Sequence, residues 1–358
     1  MRISILTHGA SPFGVTYARA FARQGHQVEV LSLTPCRPVA DVPMRVVGSA
    51  KFKPLETSSR IPYLKTIRPV RRAVRDSSPD ILFAIYLSSA GIVACLSGHP
   101  HVVVSAQGSD VVTHVDRWVW RAVFRWLARR ACLVHAVSEH LADVLADRVG
   151  LARDRILVCP IGVDTDQLAF VEPYRRPGSG HILNTRAHKP VYDQATFVRA
   201  MARLKACGVS FRVTFGHAFQ AESTRRLVHE MGLDDRTVFL GGYTADELPG
   251  LLAAADLYVS CSRSDGTSIS LLEAMSTGTF PVVSDIPANR PWVEHGRNGY
   301  LFPAGDDAAM ADRLEEALAR PDVRAAAASL NRQIVLDHGD VNRLTSKLLA
   351  AFQASLAE

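Results

Sequence analysis

The sequence predicts an α/β chain built as two facing Rossmann-like domains, each a parallel sheet wound with helices, with a cleft between them. Three observations lead there. Short apolar runs alternate with helical stretches along most of the chain, the pattern of strand–helix–strand units with parallel strands. That alternation occurs twice, interrupted by DTDQLAFVEPYRRPGSG, whose Pro, Gly and Ser content lacks apolar periodicity and reads as a linker. The length of 358 residues is too great for one typical core and suits two.

The elements follow in order. ISILTH opens as a strand, Thr16 to Gln24 has helical spacing, and Gly25 ends that helix. QVEVLSL, MRVVG, DILFAIYL, HVVVSAQ and CLVHAVS are the further strand candidates of the first half. The uncharged run 81–98 approaches the length of a membrane span. However, Ser88, Ser89 and Gly91 divide it into a strand and a helix start, and strands buried on both faces read as continuous apolar runs. No membrane span is expected there. In the second half the strands are HILNTR, FRVTFGH, TVFLGG, LYVSCS and FPVVSD, with helices over 196–206, 222–231, 245–254 and 268–276. Asn298-Gly299 is a turn signal before YLFP, and 343–356 is an amphipathic helix. The expected boundaries are 1–168 for the first domain, 169–181 for the linker and 182–340 for the second domain. Residues 341–358 are a C-terminal helix that packs back toward the first domain.

Charge separates the halves. Residues 1–165 carry 21 basic and 12 acidic side chains, and the remainder carries 20 and 23, which suggests different tasks. Six cysteines form no C-x-x-C pair and most sit in apolar runs, as buried thiols in a reducing cytosol do. MRISILTHG resembles neither a signal nor a transit peptide.

The segment LYVSCSRSDGTSISLLEAMSTG carries the chemistry. A strand ends near Ser260, a polar loop holds Asp265 and Gly266, and a helix starts near Thr267 or Ser268. A helix N-terminus presents unpaired N–H groups and a positive dipole end, a natural site for a diphosphate. Asp265, just before the helix, can reach sugar hydroxyls beside the phosphate. Glu273, inside it, can accept two hydrogen bonds from a ribose. Against this, Asp is common at helix caps and Glu is common on solvated helix faces. The apolar surroundings of Glu273, LLEAM, fit a solvated charge less well.

The segment resembles the E-x7-E motif of retaining glycosyltransferases of family 4, with Asp265 in place of the first Glu and with Gly266, Glu273, Ala274, Met275 and Gly278 matching. PIGVD at 160–164, NTR at 184–186, AQGSD at 106–110 and the approach VFLGGYTADELPGLLAAADLYVSCS resemble further segments of that family, in family order. The resemblance implies the GT-B fold, with an acceptor-side first domain and a nucleotide-sugar-binding second domain. It implies that Asp265 contacts the donor sugar and that Glu273 binds the ribose. It also implies that Arg186 stabilises the diphosphate with the backbone amides of Gly266, Thr267, Ser268 and Ile269. Lys189, or else Tyr192, takes the place of the family's lysine. Asp110 becomes an acceptor contact counted with the catalytic groups, and Gly14 lets the backbone approach the diphosphate or the acceptor, or is a plain turn glycine. The chain departs from the family pattern at Gln107, where His is common, and at Pro291, where many members carry Glu. Base recognition falls near Gly241–Tyr243. No cofactor and no metal are implied, and the scattered histidines form no ligand set.

Two basic stretches stand apart from this site. One holds Lys51, Lys53, Arg60, Lys65, Arg68, Arg71, Arg72 and Arg75. The other places Arg117, Arg121, Arg125 and Arg129 at helical spacing, flanked by Trp118, Trp120 and Trp126. Such a stripe is either a solvated helix face with inward aromatics or a docking face for an anionic membrane. The second reading implies a cytoplasmic enzyme of polysaccharide biosynthesis at the inner membrane face, with a glycan or lipid-linked acceptor. No nucleic-acid motif accompanies the charge. Two other functions compete. An NAD(P)-dependent oxidoreductase lacks its G-x-G-x-x-G turn and the acid after the second strand. A non-catalytic nucleotide-sugar binder is suggested by the Asp-for-Glu change.

Overall fold

The computed structural model describes residues 1–9, 11–48, 61–172, 179–217 and 220–357. The chain forms two compact units, one of Met1–Ile161 with Val341–Glu358, the other of Gly162–Asp340.

The first unit holds β1 (Arg2–Thr7), β2 (Gln27–Ser32), β3 (Met44–Val46), β4 (Ile81–Ile85), β5 (Val102–Ala106), β6 (Leu133–Ala136) and β7 (Ile156–Val158). They lie in the order β3-β2-β1-β4-β5-β6-β7, and every neighbouring pair is parallel. The strand order reverses between β1 and β4. β4 is buried throughout, as its unbroken apolar run requires. Helix Pro12–Arg23 packs tightly, because a Cβ on Gly14 would stand 2.9 Å from Thr7 Cγ2. The last helix, Val341–Ala357, belongs to this unit. Its Phe352 meets Phe21 and Phe83 at 5.8 and 5.4 Å between ring centres, and Gln24 Nε2 donates to Thr345 Oγ1 at 2.7 Å.

The second unit holds β8 (His181–Asn184), β9 (Arg212–Phe215), β10 (Thr237–Phe239), β11 (Leu257–Ser260), β12 (Phe280–Ser284) and β13 (Tyr300–Phe302), in the order β10-β9-β8-β11-β12-β13. It too is parallel throughout, and its order reverses between β8 and β11. Side-chain alternation feeds two cores. Ile182, Val259 and Val282 face one, with Phe197, Phe215 and Met310. Leu183, Tyr258 and Val283 face the other, with Leu271, Met275 and Val335.

Residues 162–168, assigned from the sequence to the first domain, group with the second unit. The Val163 N–H donates to Gly339 O at 2.9 Å, and Arg332 donates to the carbonyls of Thr165 and Leu168 at 3.0 and 2.8 Å. Most of the expected linker's Pro- and Arg-rich stretch, 173–178, lies outside the described residues. Among the described residues no helix is long and apolar enough to cross a membrane.

Candidate active site

In open parallel sheets, ligands bind beyond the carboxyl ends of the strands where strand order reverses. In the second unit that place lies past Asn184 on β8 and Ser260 on β11. Buried Asn184 shapes the first edge: its Oδ1 accepts the Arg186 N–H at 2.9 Å, and Gln194 Nε2 donates to the same oxygen at 3.1 Å. This turns the chain so that the Arg186 side chain enters the crevice. There Nη2 meets Asp265 Oδ2 at 2.6 Å, Nη1 donates to Ser270 Oγ at 3.0 Å, and the guanidinium lies 4.0 Å from the Tyr192 ring centre. Its Nε is buried with no partner among the described residues. Ser270 is itself fixed by the fully buried Tyr258, whose hydroxyl donates to it at 2.7 Å.

The second edge is the loop from Cys261 to Ser268. Arg263 ties it to the first edge, donating its N–H to Val191 O at 2.8 Å and pairing with Asp193 at 2.7 Å. Asp265 Oδ1 also accepts the Gly266 N–H at 3.1 Å. Helix Ile269–Ser276 follows, with Ser268 at its N-cap position and no side-chain cap bond. Glu273 lies on this helix, half-buried.

The electrostatics are those of charges held out of water. Burial pushes the Glu273 carboxyl up to about 7, against the pull of Arg186. Burial raises Asp265 as well, outweighing the opposing effects of Arg186, the Gly266 N–H and Ser268. Burial disfavours the Arg186 charge too, yet Asp265, Tyr192, Tyr258 and Glu273 together hold the guanidinium above its ordinary value. Such a concentration of shifted groups in one crevice marks functional sites.

Thus Arg186, Asp265, Gly266, Thr267, Ser268, Ile269 and Glu273 gather at one switch point. Lys189 stands exposed before the short turn Pro190–Tyr192, and it is Tyr192 that stacks on Arg186. At the neighbouring strand ends, Tyr243 packs where a Cβ on Gly216 would be 2.8 Å from its ring, and His217 lies 5.1 Å from it. Asp110 belongs to the first unit, where its carboxylate holds three backbone N–H groups. Oδ1 accepts the N–H groups of Gln107 and Gly108 at 2.9 and 3.0 Å, and Oδ2 accepts that of Leu87 at 2.6 Å. Burial lifts it to about 6 against these bonds. Gly14 lies in a helix packed on β1. Gln107 donates to Ser105 Oγ at 2.6 Å, which meets buried His135 at 2.7 Å. Pro291 is exposed. Ser270, Tyr258, Asn184 and Gln194 escaped sequence reasoning, because neutral groups acting through distant partners leave no spacing signal. Among the described residues no cluster of three His, Cys, Asp or Glu side chains could hold a metal.

Of the basic stretches, Lys51, Lys53 and Arg60 lie outside the described residues. Lys65, Arg68, Arg72 and Arg75 are exposed on or beside helix Ile67–Ser77. On helix Trp118–Arg130, Trp120 packs on His114 and Phe124, while Trp118 is 73% exposed and Val119 45%.

Two parallel Rossmann-like units, with a largely buried cation at an uncapped helix end, define the class of a GT-B glycosyltransferase. A crystal structure of Anabaena HepE in complex with UDP and glucose matches the fold with a TM-score of 0.78 and 18% identity, covering 99% of this chain and 100% of that one. Residues 8–167 match the family described as Glycosyltransferase Family 4, and residues 182–320 match glycosyl transferases group 1. The chain belongs to the family 4 glycosyltransferases. Among curated relatives, the 2-deoxystreptamine glucosyltransferase of Streptomyces kanamyceticus is 27% identical over 76% of this chain and 75% of its own. The GDP-mannose-dependent alpha-(1-6)-phosphatidylinositol monomannoside mannosyltransferase of Mycobacterium tuberculosis is 28% identical over 71% of this chain and 70% of its own.

Proposed function

We propose that this enzyme carries a sugar, with retention of configuration, from a nucleotide diphosphate donor to a hydroxyl of a lipid-linked glycan at the cytoplasmic face of a membrane. One observation carries the donor reading: the largely buried Arg186 guanidinium beside the uncapped N-terminus of Ile269–Ser276. Cleaving the anomeric C–O bond builds negative charge on the departing diphosphate, and donors already aimed there stabilise that charge as it develops. Arg186 supplies a planar fork suited to phosphate, and the amides of Gly266, Thr267, Ser268 and Ile269 supply the rest. The Arg186–Asp265 pair is the resting arrangement. Diphosphate takes the Arg186 fork, and Asp265, released, orients the hydroxyls of the donor sugar. Glu273 as carboxylate accepts from the ribose. Lys189 adds a cation at the rim, while Gly14 and Asp110 shape the acceptor side, Asp110 by holding the 107–110 turn.

The acceptor reading rests on the exposed Trp118 and Val119 beside Arg117, a basic and aromatic surface suited to anionic lipid, and on a relative named for a phosphatidylinositol mannoside. The test is a panel of UDP-, GDP- and ADP-sugars with lipid-linked acceptors, followed by mass spectrometry of the released nucleotide and NMR of the new linkage. The expected result is one nucleoside diphosphate and a product anomer matching the donor. An inverted anomer refutes retention, and a panel that neither reacts nor raises the melting temperature refutes the donor reading.

A further inference from the structure

We infer that Asn289 is a positioning residue for the donor site: it holds the Ser268 hydroxyl off the N-terminus of helix Ile269–Ser276 and so keeps that helix end open to phosphate. The inference rests on the reading above, in which this helix end takes the diphosphate.

Serine is among the strongest N-cap residues, because its Oγ accepts an N–H from the second or third helical residue. Ser268 occupies the N-cap position, yet its side chain makes no such bond. Its hydroxyl instead lies 2.5 Å from Asn289 Oδ1. The direction of that bond is fixed. Asn289 Nδ2 donates to Ser284 O at 2.8 Å, which orients the amide and leaves Oδ1, a pure acceptor, facing Ser268. Ser268 therefore gives its proton away from the helix. Ser268 and Asn289 are 4% and 1% exposed, so bulk water does not compete.

The support beneath Asn289 is equally specific. Its N–H donates to Ile286 O at 2.9 Å. Ser284, whose carbonyl it grips, donates through Oγ to Ser262 O at 2.5 Å, within the loop that carries Asp265. At the helix end, the Ser268 carbonyl already accepts the N–H groups of Leu271 and Leu272 at 3.0 and 3.1 Å. The Ser270 N–H, which a Ser268 cap would take, has no acceptor among the described residues. A Ser268 hydroxyl turned onto it would occupy that N–H. It would also set oxygen lone pairs where phosphate oxygens approach. Without Asn289 the helix caps itself.

Calorimetric titration of UDP, GDP and ADP into the full-length protein tests this, using wild type, Asn289→Ala and the double variant Ser268→Ala/Asn289→Ala. Asn289→Ala is expected to weaken binding of the preferred nucleotide about tenfold, the scale of a serine cap. The double variant, with no hydroxyl to turn inward, is expected to recover to within about threefold of wild type. A purely structural role for Asn289 predicts no recovery. Asn289→Ser, which cannot span from Ser284 to Ser268, serves the same comparison if the alanine variant does not fold, and melting curves report on folding. Full affinity in Asn289→Ala, or a double variant as weak as the single one, overturns the inference while leaving the donor reading standing. A wild type that binds none of the three nucleotides overturns both.

Discussion

The two sheets reverse strand order at equivalent places, yet the side chains gathered there differ in kind. Past β1 and β4 the groups are engaged with one another and with the backbone: His8 Nε2 meets Ser89 Oγ at 2.8 Å, Gln107 donates to Ser105, and Asp110 is ringed by backbone N–H groups. Past β8 and β11 stand a guanidinium and two carboxylates, all shifted by burial and by one another. Topology supplies a crevice twice. The side chains decide which crevice suits a charged ligand.

Arg186→Ala should produce the largest effect on this contrast. Removing one preorganised donor from a developing oxyanion costs about 10²–10³ in rate, so kcat/KM should fall by that factor. A loss under about tenfold would show that the deciding charge lies elsewhere. Glu273→Gln comes next. Losing a charge-assisted acceptor should weaken nucleotide binding about 10–100-fold above pH 7. Wild-type affinity should rise with pH through about 7 as Glu273 ionises, while the variant stays flat. The unliganded protein should behave in the opposite way. Because the folded-state value is raised from 4.5 to about 7, the stability linked to Glu273 is fully present below pH 4.5 and is lost as pH rises through 7. Glu273→Gln should therefore melt higher than wild type at pH 8, by roughly 1–3 kcal/mol of stability, and show little difference at pH 4.5. A variant no more stable at pH 8 would mean that the carboxylate carries no burial cost.

The first unit balances its shifts. Asp110, raised to about 6, loses its stabilising contribution as pH rises, whereas His135, lowered to about 4, loses its own as pH falls. Asp110→Asn should have the smallest effect of the three. It sets an amide among N–H donors and should cost about 2 kcal/mol, read as a fall of a few degrees in melting temperature. An unchanged melting temperature with collapsed transfer would return Asp110 to the reacting groups.

Much of this was legible in the sequence. Long apolar runs placed β4, β5 and β12, and the resemblance to family segments singled out Asp265, Glu273 and Arg186, which the fold brings to one strand-end crevice. The strands β7 and β13 went unread, although β3 and β10 are equally short and were read. Helices Asp307–Ala319 and Pro321–His338 went unread too: alanine dominates their sequence and blurs the apolar stripe. Helix Ala245–Ala254 was read too long, since helical structure starts at Leu248 with Pro249 in its first turn. The partners that aim Arg186 are invisible without coordinates. Tyr258 and Ser270 are 12 positions apart, and Arg186 and Ser270 are 84 apart, so their meeting depends on the sheet.

The last helix has a consequence for biosynthesis. Residues 341–357 complete the core of the unit that the chain begins, while the unit between them is one unbroken stretch. A nascent chain leaving the ribosome therefore has every residue of its second unit in hand before its first unit can close. Until then Phe21 and Phe83 wait for Phe352, and the earliest-made half of the enzyme is the last to be finished.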